Sequence, residues 1–325
     1  MDDETTSRAP AAGGPWLPLT AGRVAAFASA RNGRLWLVMA TTALIVAVTV
    51  VRFLAAGWWP VINRAVSQLP AEGEIRSGRL VWPTNAVTTL ADNGLLAIVI
   101  NPTDLLKAGQ SADLQLEFRA TELDVESLFG YVPVPYPSGW IISLNHTDLE
   151  PLWGAWRPHL LVATGALVVP GLLCFWSLLA GPLALFVAAY ARLLGRQSSR
   201  AGAWRLCMAA MAPGALVFAL AMLGYTARQI NLAEWLLANG LQPFLLLALV
   251  LFAPLWLPVQ EPPSPFAPPA TPPDEPKAAA AKNPFATPVE APAASRRARP
   301  KNPFPSPGKS PPRKDPPDDA PLNPS

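Results

Sequence analysis

The chain has 325 residues, of which 51% are hydrophobic and only 14% charged, with a formal charge of +3. A soluble domain carries about a quarter charged residues, and so small a net charge gives no general affinity for nucleic acid. The two cysteines, Cys174 and Cys207, both lie in apolar runs, which excludes a disulfide framework.

In chain order, residues 1–34 are polar, Ala-rich and basic, and are expected to be cytoplasmic. Residues 35–56 form the first expected transmembrane helix, with an apolar stretch ending at Phe53 that matches the ~20 residues of one bilayer crossing. A cleaved signal peptide is the alternative. Its apolar core is usually ~7–15 residues, whereas this one is longer, follows a long basic lead, and has Arg52 and Phe53 where small cleavage-site residues belong. An uncleaved signal anchor fits better.

Residues 57–157 read as one extracytoplasmic domain, β-rich or α+β. G-E-I-R-S-G-R-L-V-W-P predicts two short strands about a Ser77-Gly78 turn, flanked by Arg76 and Arg79. L-L-A-I-V-I, from Leu95 to Ile100, is a buried strand. D-L-Q-L-E-F-R alternates, so Leu114, Leu116 and Phe118 are expected inward and Asp113, Gln115, Glu117 and Arg119 toward water. Residues 122–126 alternate again, with Leu123 and Val125 inward. V-P-V-P-Y-P is an extended segment leading to a further strand, I-I-S-L.

Residues 158–191 form the second expected span. The uncharged run within it, residues 160–190, would be ~46 Å long as helix at ~1.5 Å per residue, more than a ~30 Å hydrocarbon core. It reads as one long helix kinked at Pro170 and Pro182, or as a structure broken at Gly181-Pro182, a hairpin or a helix with a re-entrant segment. The loop 192–205 carries Arg192, Arg196, Arg200 and Arg205, and the N-terminal segment carries Arg23, Arg31 and Arg34. The positive-inside rule makes both cytoplasmic, so the intervening run crosses an odd number of times and the single long helix fits. Residues 206–224 cross outward, 225–234 form a short outer loop, and 235–258 cross inward, weakened by Gly240 and Pro243. Residues 259–325 are a Pro-rich tail with too little apolar surface to offset ordering entropy, expected to be disordered and cytoplasmic. Aromatic placement agrees with this register. Trp58, Trp59, Trp153, Trp156, Tyr225 and Trp235 fall at outer ends, Trp36, Tyr190, Trp204 and Trp256 at inner ends, and Trp176 in mid-span. The expected fold class is an α-helical polytopic membrane protein: four spans, both ends cytoplasmic, a small β-rich or α+β outer domain and a disordered tail.

G-E-I-R-S-G-R-L-V-W-P, then L-L-A-I-V-I-N-P-T, then a cluster of C-terminal spans resembles a family of uncharacterised bacterial integral membrane proteins. G-R-Q-S-S-R-A-G-A-W-R-L with Pro213 is similar to a Yip-type helical membrane bundle. The resemblance spans residues 73–214 and implies architecture and location, a bacterial inner membrane, and no activity. Asn101 stands where the family tends to have an acid.

No residues assemble a catalytic, cofactor or metal site. Glu122, Asp124 and Glu126 share one strand face and could offer oxygens to a hard cation, but the plain reading is a solvated sheet face. His146 and His159 have no nucleophile or metal spacing around them. Asn145-His146-Thr147 matches a glycosylation sequon, relevant only in a eukaryotic secretory pathway. The later spans hold no ionisable side chain of the kind that marks an ion path. Gly165, Gly171, Gly181 and Gly214 would allow close helix packing. Arg296, Arg297, Arg299 and Lys301 form a basic cluster that could meet anionic lipid, though a solvated tail is the plainer reading. The remaining candidates are two near-copies in the tail, K-N-P-F-A-T-P and K-N-P-F-P-S-P. Asn-Pro starts a turn that would present an anchor, so Asn283, Pro284 and Phe285 with Asn302, Pro303 and Phe304 are the expected partner-binding residues, against tail composition alone.

The expected function is a non-enzymatic, membrane-anchored interaction or sensing protein. Its partners are the bilayer, a cytoplasmic protein held by the tail and a membrane-complex partner, with no nucleic acid. The alternative is an accessory subunit of a transporter or other membrane complex.

Overall fold

A computed structural model describes residues 17–103 and 108–260. A short helix α1 (Ala21–Ala26) and a 3-10 turn precede α2 (Asn32–Phe53). That helix passes through a π-helical turn, Leu54–Trp58, straight into α3 (Trp59–Ser67). Eight strands follow: β1 (Glu74–Arg76), β2 (Arg79–Val81), β3 (Thr88–Asp92), β4 (Leu96–Asn101), β5 (Leu114–Arg119), β6 (Glu122–Ser127), β7 (Gly130–Pro135) and β8 (Ile141–Ser143). The described residues end with α4 (His146–Leu193), α5 (Arg200–Thr226), α6 (Leu232–Gly240), α7 (Gln242–Phe252) and a 3-10 turn. Among the described residues, four helical segments are long and apolar enough to cross a membrane: Asn32–Ser67, His146–Leu193, Arg200–Thr226 and Leu232–Trp256.

The bundle is built around α5. Its buried side chains run all round the helix from Leu206 to Ala215, mostly Ala, Met and Cys, because α2, α4 and α7 pack on it from different sides. Such small side chains let helices approach closely. Trp176 is buried in this core. The run of residues 160–190 lies within one uninterrupted helix, α4, which also takes in Pro151 and Pro158 ahead of Pro170 and Pro182. The expected weak point near Gly240 and Pro243 is a real break between α6 and α7. Of the four glycines expected to pack, Gly165 meets Val51 and Gly214 meets Gln242, while Gly171 and Gly181 face open space.

Residues 20–34 are not a loose lead. Val24, Ala25 and Phe27 are buried in the bundle core, and Arg205 Nη1 donates to Ala30 O at 2.7 Å. The α4–α5 loop meets the chain leaving α7: Arg196 Nη1 donates to Leu257 O at 2.8 Å, and the Gln260 amide donates to Gly195 O at 2.8 Å. Two basic segments, the N-terminal one and the α4–α5 loop, thus lie with the uncharged chain leaving α7 at the end of the bundle opposite the sheets.

The sheet domain has two sheets. One orders β2-β1-β8; the other orders β3-β4-β5-β6-β7, with β4 and β5 parallel and the other pairs antiparallel. The β1–β2 turn falls at Ser77-Gly78, whose φ values of 52° and 77° are the left-handed pair a two-residue hairpin needs. β4 is buried along its whole length, and α3 packs on β3 and β4. Ile98, Ile100, Leu90, Val61 and Ala65 share one core there.

Candidate functional site

The larger sheet departs from expectation on its polar face. Gln115, Glu117 and Asp124 are completely buried, as is Asn101, and Glu126 is nearly so. The strict alternation of β5 and β6 is correct, but the side read as solvated is covered. The cause is topological. β4 and β5 are parallel, so residues 102–113 must cross over the sheet, and the described part of that crossover lies on the polar face. Ser111 N donates to Gln115 Oε1 at 3.0 Å, and Thr103 Oγ1 donates to Asn101 Oδ1 at 3.3 Å. Beneath it, Asn101 Nδ2 donates to Glu117 Oε1 at 2.6 Å and Gln115 Nε2 to Glu126 Oε2 at 3.1 Å. Arg119 Nη1 pairs with Asp124 Oδ2 at 3.2 Å. Charges taken out of water need such partners. Asn101 is thus the neutral amide donor that meets the buried Glu117 carboxylate.

The acid row Glu122, Asp124 and Glu126 is therefore not a solvated face. Asp124 and Glu126 are engaged by Arg119 and Gln115. Among the described residues, no group of three His, Cys, Asp or Glu side chains is arranged to hold a metal ion.

The sheet domain and the bundle meet at a junction with no local sign in the sequence. Asn93 Oδ1 accepts from the amides of Leu95 (3.1 Å) and Leu96 (3.0 Å), forming the β3–β4 turn. Its Nδ2 donates to Gly57 O at 2.6 Å. Gly57 lies in the π-helical turn, and such turns leave carbonyls free of the usual helical donor. A Cβ on Gly57 would stand 3.2 Å from Leu95 Cδ1, so glycine lets the sheet close on the helix here. Beside it, Tyr225 Oη donates to Asp113 Oδ2 at 2.7 Å, and the Tyr225 ring stacks on Phe53 at 5.8 Å. Asn93-Gly94 is a hairpin-turn dipeptide and could have marked the turn. Nothing in the sequence links Asp113 to Tyr225.

β7 is an edge strand, exposed from end to end. Pro133 and Pro135 lack an N–H, so they occupy the alternate positions that point away from β6. The free edge is thereby short of donors and resists the addition of another strand. It offers side chains instead, with Val132 and Val134 exposed and Trp140 and Ile141 exposed in the following segment.

Within the bundle, an apolar cavity of about 420 Å³ lies between α2, α4, α5 and α7, lined by Val50, Trp176, Met211, Phe218 and Leu246, with Gln242 as its amide. Gln242 Nε2 is already committed to Asn239 Oδ1 at 2.7 Å, at the α6–α7 break. Such a lining can hold hydrocarbon; it carries no acid, base or nucleophile.

Asn145 is the N-cap of α4, accepting from the Asp148 amide at 2.8 Å, and His146 contacts Glu150 at 3.0 Å on the surface. The tail residues Asn283, Pro284, Phe285, Asn302, Pro303 and Phe304 lie outside the described residues, as does the basic cluster after Ser295. Compared with known proteins, the chain matches no family model, no curated protein and no solved structure. The likeness to bacterial membrane proteins rests on the quoted motifs alone.

Proposed function

We propose that the chain is an integral protein of a bacterial inner membrane, with four spans, both ends cytoplasmic and the sheet domain outside. In this reading it is a non-enzymatic sensing or interaction protein. The sheet domain meets an envelope component through the exposed side chains of β7 and its neighbours, and the tail recruits a cytoplasmic partner through the paired Asn-Pro-Phe segments. The observation that carries it is the Asn93 amide bonded to the Gly57 carbonyl. A turn of the outer domain inserts into the irregular turn of the first long helix, so a displacement of the sheet bears directly on that helix. The basic N-terminal segment and the basic α4–α5 loop, which meet through Arg205 and Ala30 at the far end of the bundle, support the sidedness.

Two measurements test this reading. Single cysteines at Ser138 and Gln197, in a background lacking Cys174 and Cys207, are probed with an impermeant maleimide in intact cells. Ser138 should label and Gln197 should not; the reverse pattern sinks the topology. In-membrane crosslinking with mass spectrometry then compares full-length, tail-less and F285A/F304A protein. The tail partner should disappear from both variants while contacts to the sheet domain remain. If neither variant changes the crosslinked set, the recruiting half of the proposal fails.

A second reading, an accessory subunit of a membrane complex, has one observation in its favour. α4 leaves most of its apolar surface uncovered, including Gly171 and Gly181. It predicts a complex in mild detergent that survives removal of the tail.

A further inference from the structure

The strand registers align one end of the larger sheet. Leu96 stands opposite Leu114, Leu114 opposite Ser127, and Ser127 opposite Gly130. The β3–β4 turn, Asp113 at the start of β5 and the β6–β7 turn therefore all leave the sheet at the same end. The first two rest on the bundle, through Leu95 beside Gly57 and Asp113 against Tyr225. The third rests on nothing: Leu128 is 60% exposed and Phe129 is 80% exposed. Strands are spaced by about 4.8 Å, so β7 stands about 10 Å to the side of β5, close to one helix diameter. The β6–β7 tip hangs level with the sheet end of the apolar helices, just outside their footprint.

The turn itself does not need apolar residues. Ser127 Oγ accepts from the Phe129 amide at 3.3 Å, and Gly130, at φ 110°, carries the chain onward. Polar residues serve such turns at least as well. The fold gives no reason for Leu and Phe at this point. The nearest charged residue, Glu126, is turned inward onto Gln115, so the tip carries no charge of its own. Tyr225 and Trp235, packed together at the neighbouring helix ends, are the aromatic types that sit at a bilayer surface.

We infer that the β6–β7 tip is a membrane-surface anchor, with Leu128 and Phe129 seated in the boundary between headgroups and acyl chains beside the bundle. This rests on the membrane-spanning reading above, since the level of the tip is set by the helices. Apolar side chains on a surface-lying element enter that boundary to ~5–10 Å, which suits a two-residue tip whose flanking Ser127 and Gly130 stay among the headgroups. The sheet would then have three supports, two on protein and one on lipid.

The test uses the full-length chain lacking Cys174 and Cys207, reconstituted in phosphatidylcholine–phosphatidylglycerol vesicles. An environment-sensitive fluorophore is attached to one cysteine at a time: at Phe129, at Thr121 on the opposite end of the sheet, and at Leu178, which is exposed on α4. Quenching by lipid carrying a spin label near the headgroup is compared with quenching by aqueous iodide. The probe at Phe129 should be blue-shifted, quenched severalfold more by labelled lipid than the probe at Thr121, and protected from iodide. Equal iodide access at Phe129 and Thr121 overturns the anchor. Protection at Phe129 from both quenchers also overturns it, and identifies a protein surface as the occupant. At Leu178 the quencher is lipid spin-labelled near the end of the acyl chain, and absence of quenching there means that the spanning reading itself has failed. Phe129 lies on the surface and its replacement removes no packing; a probe at Leu128 supplies the second variant.

Discussion

The bundle and the sheet domain bury opposite kinds of surface. Around α5 the interior is alanine, methionine, leucine and glycine. The buried polar side chains of the bundle, Thr42 and Thr49, donate to carbonyls of their own helix, Val38 O at 2.9 Å and Val46 O at 2.7 Å. The sheet domain buries three carboxylates, two amides and much of an arginine, and their hydrogen bonds run between strands. A helix satisfies its backbone internally, so in the buried centre of the bundle its neighbours are chosen mainly by shape. In the sheet, each polar pair holds only at one register, so the same residues that are costly to bury also fix which strand lies against which. If that contrast is right, charge changes should hurt the sheet most and volume changes should hurt the bundle most.

The largest expected effect is Asp124→Ala, which leaves Arg119 in a buried layer without this carboxylate. Breaking a buried pair of this kind costs about 3–5 kcal/mol, read as earlier thermal unfolding or faster proteolysis of the sheet domain in detergent, with the bundle unaffected. Replacing both partners, as in R119M/D124L, should recover most of the loss. A wild-type melt for D124A would remove the contrast. Next is Ala209→Leu in the fully buried half of α5, where overpacking costs about 1–3 kcal/mol; the bundle should loosen while the sheet domain keeps its protease resistance. Smaller again is Asn93→Ala. It removes two bonds within the β3–β4 turn and the one to Gly57, at about 1 kcal/mol net for each bond that water does not replace. Its signature is local: faster amide exchange at Leu95 and Leu96 and in the π-helical turn, with the remainder of the sheet unchanged. Uniform exchange would mean that the two regions are not joined at this point.

How legible these features were in the sequence follows from the range of the forces involved. Ser77-Gly78 announced its turn because the left-handed backbone pair is a local property of two residues. The continuity of α4 was expected in spite of its prolines because arginines before the first apolar helix and after α4 argue for an odd number of crossings in the run between them. The polar face of β5 and β6 misled because alternation reports which side chains point the same way and says nothing about what covers them. A parallel neighbour put the crossover there, and a strand's sequence does not show whether its neighbour runs parallel. The burial of Val24 and Phe27 was hidden in a short Ala-rich segment with no helical period of its own. Tyr225 was placed at a helix end from its aromatic character. Its partner Asp113 is 112 residues away, and a hydrogen bond at that separation leaves no trace in composition or spacing.

The smallest expected effect is the most discriminating. Gly171→Leu adds a large side chain where a Cβ would meet nothing within 4 Å, whereas at Gly214 the same change runs into Gln242, whose Cβ would be 3.7 Å away. Leucine also has the better helix propensity, by up to about 1 kcal/mol over glycine. Within a single chain G171L should therefore be neutral or slightly stabilising, while G214L loosens the contact of α5 with the α6–α7 break. Small residues matter where another helix comes close. If the open face of α4 meets only lipid, G171L protein should purify with the same mass and the same partners as wild type. If a second protein packs on that face, the variant should lose it from mild detergent with its own melting temperature unchanged. Loss of a partner with no loss of stability would favour the accessory-subunit reading, because the substitution then acts on a surface that the chain itself leaves empty.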